Sequence, residues 1–169
     1  MTRTLTHQPV DARRFRRTLA LHASGVVVVT ARNAEGTPVG LTATSFSSVS
    51  LDPPLISFYV AASSTTWPDL SQAEVFAVNL LAAHQPDVAA RFAQKGIDRF
   101  AAPTAWRPGP LGVPLLEDVV AHLLAVPYTT ATIGDHHLVV GLVVGTRNGH
   151  GGAPLLYHHG RFGRFIPYP

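Results

Sequence analysis

The chain of 169 residues is 46% hydrophobic and only 14% charged, with a mean hydropathy of +0.18. That balance excludes disorder, a coiled coil and a charge-rich solvating tail, and it argues for one domain over residues 1–169 that needs no metal or disulfide staple. The formal charge is +3 and the pI about 9.8, and Arg supplies 12 of the 13 Lys and Arg residues; these are scattered apart from Arg13, Arg14, Arg16 and Arg17, which read as a solvated helix face and not as a nucleic-acid stripe.

Residues 1–10 carry no periodic signal and are expected to be flexible. Asp11–Ala23 predicts a helix, with Phe15, Leu19 and His22/Ala23 at helical spacing and Gly25 ending it. The β-branched run Val26–Ala31, the turn Asn33–Gly36 and the segment Val39–Phe46 predict a hairpin. Pro53 and Pro54 interrupt the chain before the strand Leu55–Ala61, in which Ile56, Phe58 and Val60 alternate with other residues. A short helix at Pro68–Gln72 precedes a strand at Val75–Leu80, and Pro86 and Asp87 open a helix to Gln94. Gly96–Pro114 reads as an irregular surface excursion. Val119–Tyr128 and His137–Arg147 are long strands around the Ile133-Gly134-Asp135 turn; after a loop at Gly149–Gly152, Pro154–Tyr157 and Arg161–Pro167 close the chain. Six or seven strands separated by tight turns, with two or three helices, point to a mainly β antiparallel barrel with flanking helices and away from a doubly wound sheet.

The chain has no Cys, so disulfides, thiolate nucleophiles, zinc–thiolate sites and cysteine-ligated clusters are excluded. A cytoplasmic home is expected. No signal-like apolar stretch precedes Asp11, and the apolar runs Val26–Val29 and Leu138–Val144 are too short to span a bilayer.

Three segments could carry chemistry. Between Gly40 and Pro54, six hydroxyls fall within the nine positions from Thr42 to Ser50. Hydroxyls and amides at such a strand end can cradle a phosphate or meet the donors and acceptors of a flavin edge; the same composition also suits an ordinary strand. Arg91 and Lys95 share one helix face and can neutralise a phosphate, or stand as two solvated cations near a helix end. In Gly134-Asp135-His136-His137, strand alternation sends the two His side chains to opposite faces. That divergence, and the lack of an HExxH pattern, argue against metal. No Gly-x-Ser-x-Gly elbow supports hydrolysis, and no Gly-x-Gly-x-x-Gly supports a Rossmann site.

Taken in order, Ser24–Thr30, Gly40–Pro54, Phe76–Leu81, Arg91-Phe92-Ala93, Gly134-Asp135-His136 and Pro154–Tyr157 resemble the short-chain flavin reductases, the reductase components of two-component flavin-dependent monooxygenases. The resemblance runs from Phe15 to Phe165 and implies a six- to seven-stranded antiparallel Greek-key split barrel, usually a homodimer. It implies FMN or FAD as flavin, NADH or NADPH as co-substrate, and a partner monooxygenase that receives the reduced flavin. It places Thr42, Ala43, Thr44 and Ser45 along the isoalloxazine and ribityl, with Ser48, Val49, Ser50 and Pro53 shaping the neighbouring loop. Asn79 and Leu80 would contact the flavin from the next strand, and Arg91, Phe92 and Lys95 would hold its phosphate end. His136 would be the catalytic residue beside the nicotinamide, with Tyr157 near the same pocket; His137 would be structural. Hydride transfer between stacked rings needs positioning more than a strong acid or base, which suits a site rich in Ser and Thr. A split-barrel flavin-binding protein without nicotinamide-dependent activity is the alternative.

Overall fold

A computed structural model describes residues 8–150 and 152–169. Most of the segment 1–10, expected to be flexible, and Gly151 of the Gly149–Gly152 loop lie outside the described residues. The elements are, in chain order, α1 (Ala12–Leu19), β1 (Ser24–Gly25), β2 (Val27–Arg32), β3 (Pro38–Ala43), β4 (Ser47–Leu51), β5 (Pro54–Ala61), α2 (Trp67–Leu70), β6 (Phe76–Leu80) and α3 (Pro86–Ala93). They continue with β7 (Trp106–Pro108), a 3-10 turn at Pro110–Gly112, β8 (Pro114–Leu116), β9 (Ala121–Ile133), β10 (His136–Asn148), β11 (Leu155–His158) and β12 (Arg161–Arg164). No helix among the described residues is long and apolar enough to cross a membrane.

Seven strands form the main antiparallel sheet in the order β3-β2-β6-β9-β10-β5-β4. The sheet curls until β3 lies against β5. The two do not pair as a ladder; instead the Ser45 hydroxyl accepts from the Tyr59 N–H at 2.9 Å, so the barrel is split there. Five short strands lie outside the main sheet, in the sheets β1-β11-β12 and β7-β8; β11 and β12 fall in the closing segments Pro154–Tyr157 and Arg161–Pro167, whereas β1, β7 and β8 were not expected from the sequence. β1 finds its partner β11 at the far end of the chain, and two or three residues carry too little periodicity to reveal β1, β7 or β8.

Three local expectations are corrected. The first helix ends at Leu19, not Ala23: Asp11 caps it by accepting from Arg14 N–H at 2.9 Å, and the Ala20 carbonyl beyond its end accepts from the His159 N–H. Ser47–Leu51, expected as a loop, is an exposed edge strand paired with β5 and turned back through Asp52-Pro53. Part of the Gly96–Pro114 excursion is ordered as the strand pair β7-β8.

The apolar run at the start of β2 is explained by burial on both faces. Val27, Val29 and Ala31 point into the barrel with Ile56, Phe58 and Phe76. Val26 and Val28 point outward, under Phe92 of α3 and Leu116. Phe58 and Phe76 meet edge to face inside the barrel, centroids 5.5 Å apart. Gly40 on β3 lets α3 sit flush on the wall: a Cβ there would lie 2.8 Å from the Val29 carbonyl oxygen and 3.0 Å from the Phe92 ring.

The outer face of β2 also buries Thr30, whose hydroxyl needs a partner. It donates to the Pro114 carbonyl. Asn79 donates to the Val28 carbonyl at 2.9 Å and to Thr30 Oγ1 at 3.0 Å, and its Oδ1 accepts from Leu116 N–H at 2.9 Å. His122 Nε2 donates to the Leu116 carbonyl at 2.8 Å, and Gln85 Nε2 to the Glu117 carbonyl, also at 2.8 Å. These side chains from β2, β6, β9 and the start of α3 tie the β8 segment to the barrel. Removing one partner while leaving the other buried costs about 1–3 kcal/mol.

Because the Leu116 carbonyl can only accept, the His122 ring carries its proton on Nε2, and Nδ1 is buried with no partner among the described residues. Burial holds the His122 pKa below the ordinary imidazole value; the bond to Leu116 opposes this, and the charges of Arg107 and Arg147 reinforce it. The folded state therefore keeps the ring neutral while the unfolded chain takes up a proton below about pH 6.5. Stability contributed by this site is full above that pH and declines as the pH falls towards the folded-state pKa. The thermal midpoint should fall from pH 7 to pH 5.5, and in His122→Gln it should fall less over the same interval. Equal slopes in a calorimetric pH series would show that His122 is not responsible.

Candidate active site

Two depressions flank the chain at the end of β3, one lined by Leu41 and Thr42 and the other by Thr44 and Ser45. The first is a groove of about 230 Å³ between the segment after β5 and the end of α3. Lys95 and Arg99 line it, together with the hydroxyl run Ser63-Ser64-Thr65-Thr66. Lys95 Nζ donates to the Ser63 carbonyl at 3.3 Å. Arg99 donates from Nη1 to the Gly40 carbonyl and to Thr66 Oγ1, both at 2.7 Å, and from Nε to the Gln94 carbonyl at 2.9 Å. Its burial pulls the guanidinium pKa below the usual arginine value. The partners of both cations are neutral carbonyls and a hydroxyl, so two positive charges remain uncompensated in a small polar groove. A phosphate fits that chemistry.

The second is a larger cleft of about 750 Å³ between α1, the segment after β3, the β9–β10 turn and β11. Thr44, Ser45, His136 and Tyr157 line it, and Phe15 and Leu19 of α1 form its apolar wall. Gly134 adopts φ +60° in the two-residue turn that starts β10, a conformation that suits glycine. This turn places His136 at the cleft with its Nδ1 donating to Asp135 Oδ1 at 2.7 Å. The bond fixes the tautomer and leaves Nε2 free for a ligand. In return, the His136 hydrogen bond and charge hold the Asp135 carboxyl below its ordinary range, with a smaller contribution from Arg16. His137 points to the other face, where its ring stacks on Trp67 with centroids 4.4 Å apart and its Nδ1 lies 3.3 Å from Thr132 Oγ1.

The structure gathers Thr42, Phe92 and Lys95 at the groove and Thr44, Ser45, His136 and Tyr157 at the cleft. Several of these groups are already engaged: the Thr42 hydroxyl donates to the Ala89 carbonyl at 2.7 Å, and Phe92 is buried. Ala43 directs its methyl into the barrel core. The other expected residues lie outside these two depressions. The Asn79 side chain is fully buried and spent on the β8 seam, and Leu80 packs against the barrel core, so neither side chain faces the groove or the cleft. Arg91 donates to the carbonyls of Asp98, Arg99 and Ala101 and clamps its own loop; the arginine that lines the groove beside Lys95 is Arg99. Ser48, Val49, Ser50 and Pro53 lie on or just after the edge strand β4 and line neither depression. The groove residues missed in the sequence are Arg99 and Ser63–Thr66. Four consecutive hydroxyls after an apolar strand were the available signal for the latter, while Arg99 has no distinctive spacing.

Comparison with known proteins gives a consistent answer. Residues 19–165 match the family model of the flavin reductase like domain. The chain is 41% identical over 157 residues to an NADH:FMN oxidoreductase of Rhodococcus qingshengii, covering 90% of this chain and 81% of that one. It is 34% identical over 155 residues to the reductase subunit of a flavin-dependent monooxygenase of Rhodococcus jostii, covering 92% of this chain and 78% of the relative. The NADH:FAD oxidoreductase of Streptomyces globisporus, solved in complex with NAD and FAD fragments, superposes with a TM-score of 0.86 at 34% identity, covering 95% of this chain and 98% of the other. With a family match over most of its length and relatives of this similarity, the chain belongs to the flavin reductase-like domain family.

Proposed function

We propose that this chain is a single-domain NAD(P)H-dependent flavin reductase of the cytoplasm, which passes hydride from a reduced nicotinamide to FMN or FAD and supplies the reduced flavin to a partner monooxygenase. The observation that carries the reading is the pairing of two neighbouring depressions: a doubly cationic, hydroxyl-lined groove beside Leu41 and Thr42, and a cleft beside Thr44 and Ser45 where His136 presents a free Nε2. The relatives named for NADH with FMN, and for service to a monooxygenase, support the same reading.

The flavin supplies the acceptor chemistry, taking two electrons and a proton equivalent as hydride from the nicotinamide ring. The chain's own residues provide place and polarity. Lys95, Arg99 and the Ser63–Thr66 segment hold the phosphate. The stretch from Thr42 to Ser45, at and just beyond the end of β3, borders the ribityl and ring edge with backbone amides and hydroxyls, which also stabilise negative charge. His136, held by Asp135, hydrogen-bonds the nicotinamide carboxamide, and Tyr157 closes the same pocket. Purified protein should oxidise NADH or NADPH catalytically when FMN or FAD is added, followed by loss of nicotinamide absorbance. A yellow protein that retains flavin through gel filtration and ignores both nicotinamides would instead be a flavin-binding protein without reductase activity.

A homodimer belongs to the same proposal. The edge strand β4 is exposed and carries Val49 and Leu51, the latter 93% exposed, and Tyr128 and Ile133 are exposed near the β9–β10 turn. Unpaired edges and apolar groups of this kind are covered by association. Light scattering should give twice the 18.0 kDa of one chain; the mass of a single chain at micromolar concentration would refute the dimer.

His136→Ala should lower kcat/KM for the nicotinamide about tenfold, within a range of about 1–3 kcal/mol, and leave the flavin KM nearly unchanged. His137→Ala, on the opposite face against Trp67, should leave nicotinamide kinetics intact. The reverse pattern in steady-state kinetics would mean that the cleft is not the nicotinamide site.

A further inference from the structure

The four arginines of α1 do not share a surroundings. Arg13, Arg14 and Arg17 border a different depression, together with Thr18, Leu21 and His159. Arg16 instead lines the cleft with His136, on the stripe that also carries Ala12, Phe15 and Leu19. Helical spacing enforces this division, because positions three and four apart share a face. The charge of Arg16 reaches Asp135 across the cleft and helps to hold its carboxyl ionised. Asp135 is nevertheless paired with His136, the one ion pair among the described residues, so Arg16 is left without a carboxylate partner there. Asp135 is also the only carboxylate among the described residues that line the cleft.

The cleft thus combines an apolar wall, a hydrogen-bonding imidazole and one guanidinium with no salt-bridge partner among the described residues. A ligand that satisfies all three has a flat ring, a hydrogen-bonding substituent and an anionic group on a short arm. The other uncompensated cations of the site, Lys95 and Arg99, lie in the separate groove. We propose that Arg16 is a binding residue for the diphosphate of the reduced nicotinamide dinucleotide, acting from α1 while His136 holds the nicotinamide end. This rests on the flavin reductase reading and assigns α1 a part in selecting the hydride donor.

The test pairs donors with variants. Arg16→Gln should raise the KM for NADH about tenfold, the scale of one charge-assisted hydrogen bond, with kcat and flavin KM little changed. With 1-benzyl-1,4-dihydronicotinamide, which has no phosphate, Arg16→Gln and the unaltered protein should behave alike. Arg16→Lys should recover part of the loss, and Arg13→Gln, which does not line the cleft, should be silent with both donors. A readout independent of turnover is calorimetric titration of NAD+ into flavin-free protein, where Arg16→Gln should weaken Kd by a similar factor. Added salt should weaken NADH use by the unaltered protein more than by the variant. The inference is overturned if Arg16→Gln matches the unaltered protein with NADH and NAD+, if it loses equally with the phosphate-free donor, or if Arg13→Gln has the same effect. Should the unaltered protein oxidise neither donor, the flavin reductase reading fails and takes this inference with it; normal oxidation of both donors, unaffected by Arg16→Gln, defeats the inference alone.

Discussion

Strand β2 is covered on both faces, and most of the molecule follows from that double burial. Its inward side chains complete the barrel core with β5 and β6. Its outward side chains, Val28 and Thr30, demand a cover that is apolar at one position and hydrogen-bonding at the next. The cover comes from α3, seated on Gly40, and from the β8 segment, held by Thr30, Asn79, His122 and Gln85. Since buried polar groups must be paired, this seam admits one position of β8. With α3 fixed on the barrel wall, the chain that leaves its C-terminus delivers Lys95 and Arg99 beside the end of β3.

The site is therefore assembled from parts that are remote in sequence and rigid for different reasons. The groove borrows its cations from the segment after α3 and its hydroxyls from the segment after β5. The cleft takes His136 from the first position of β10, immediately after the two-residue turn between the two longest strands. The stretch from Leu41 to Ser45, the end of β3 and the residues after it, borders both, and the Ser45–Tyr59 bond keeps it in place where the barrel splits. An arrangement of this kind suits a reaction whose main requirement is that two planar rings be held together.

What the sequence makes legible depends on whether local pattern decides the matter. The Val26–Ala31 run, the alternation of Ile56, Phe58 and Val60, and the opposed directions of His136 and His137 are local properties, and each reads directly as strand geometry. Strand β4 is not legible, because Ser47, Ser48 and Ser50 on an exposed edge carry no apolar alternation. Asn79 looks like a ligand contact because a polar residue in an apolar strand has the same appearance whether it meets a ligand or a backbone. The difference is made by Leu116, 37 residues away. Arg91 and Arg99 show the same limit: helical spacing places Arg91 near the groove, but only the return of the following loop shows that Arg91 is consumed by carbonyls and that Arg99 lines the groove.

No described residue of α1 is buried, and the ends of the helix are held by the Asp11 cap and the Ala20–His159 bond. Detaching it would expose no core side chain and break no ladder of the main sheet. Its opening free energy is consequently decoupled from that of global unfolding, and it belongs to the low end of the spectrum of local stabilities. One wall of the cleft can then exchange with solvent many times within the lifetime of the folded barrel, so the entry and departure of ligands are governed by a soft boundary while the groove and the Asp135–His136 pair stay in register.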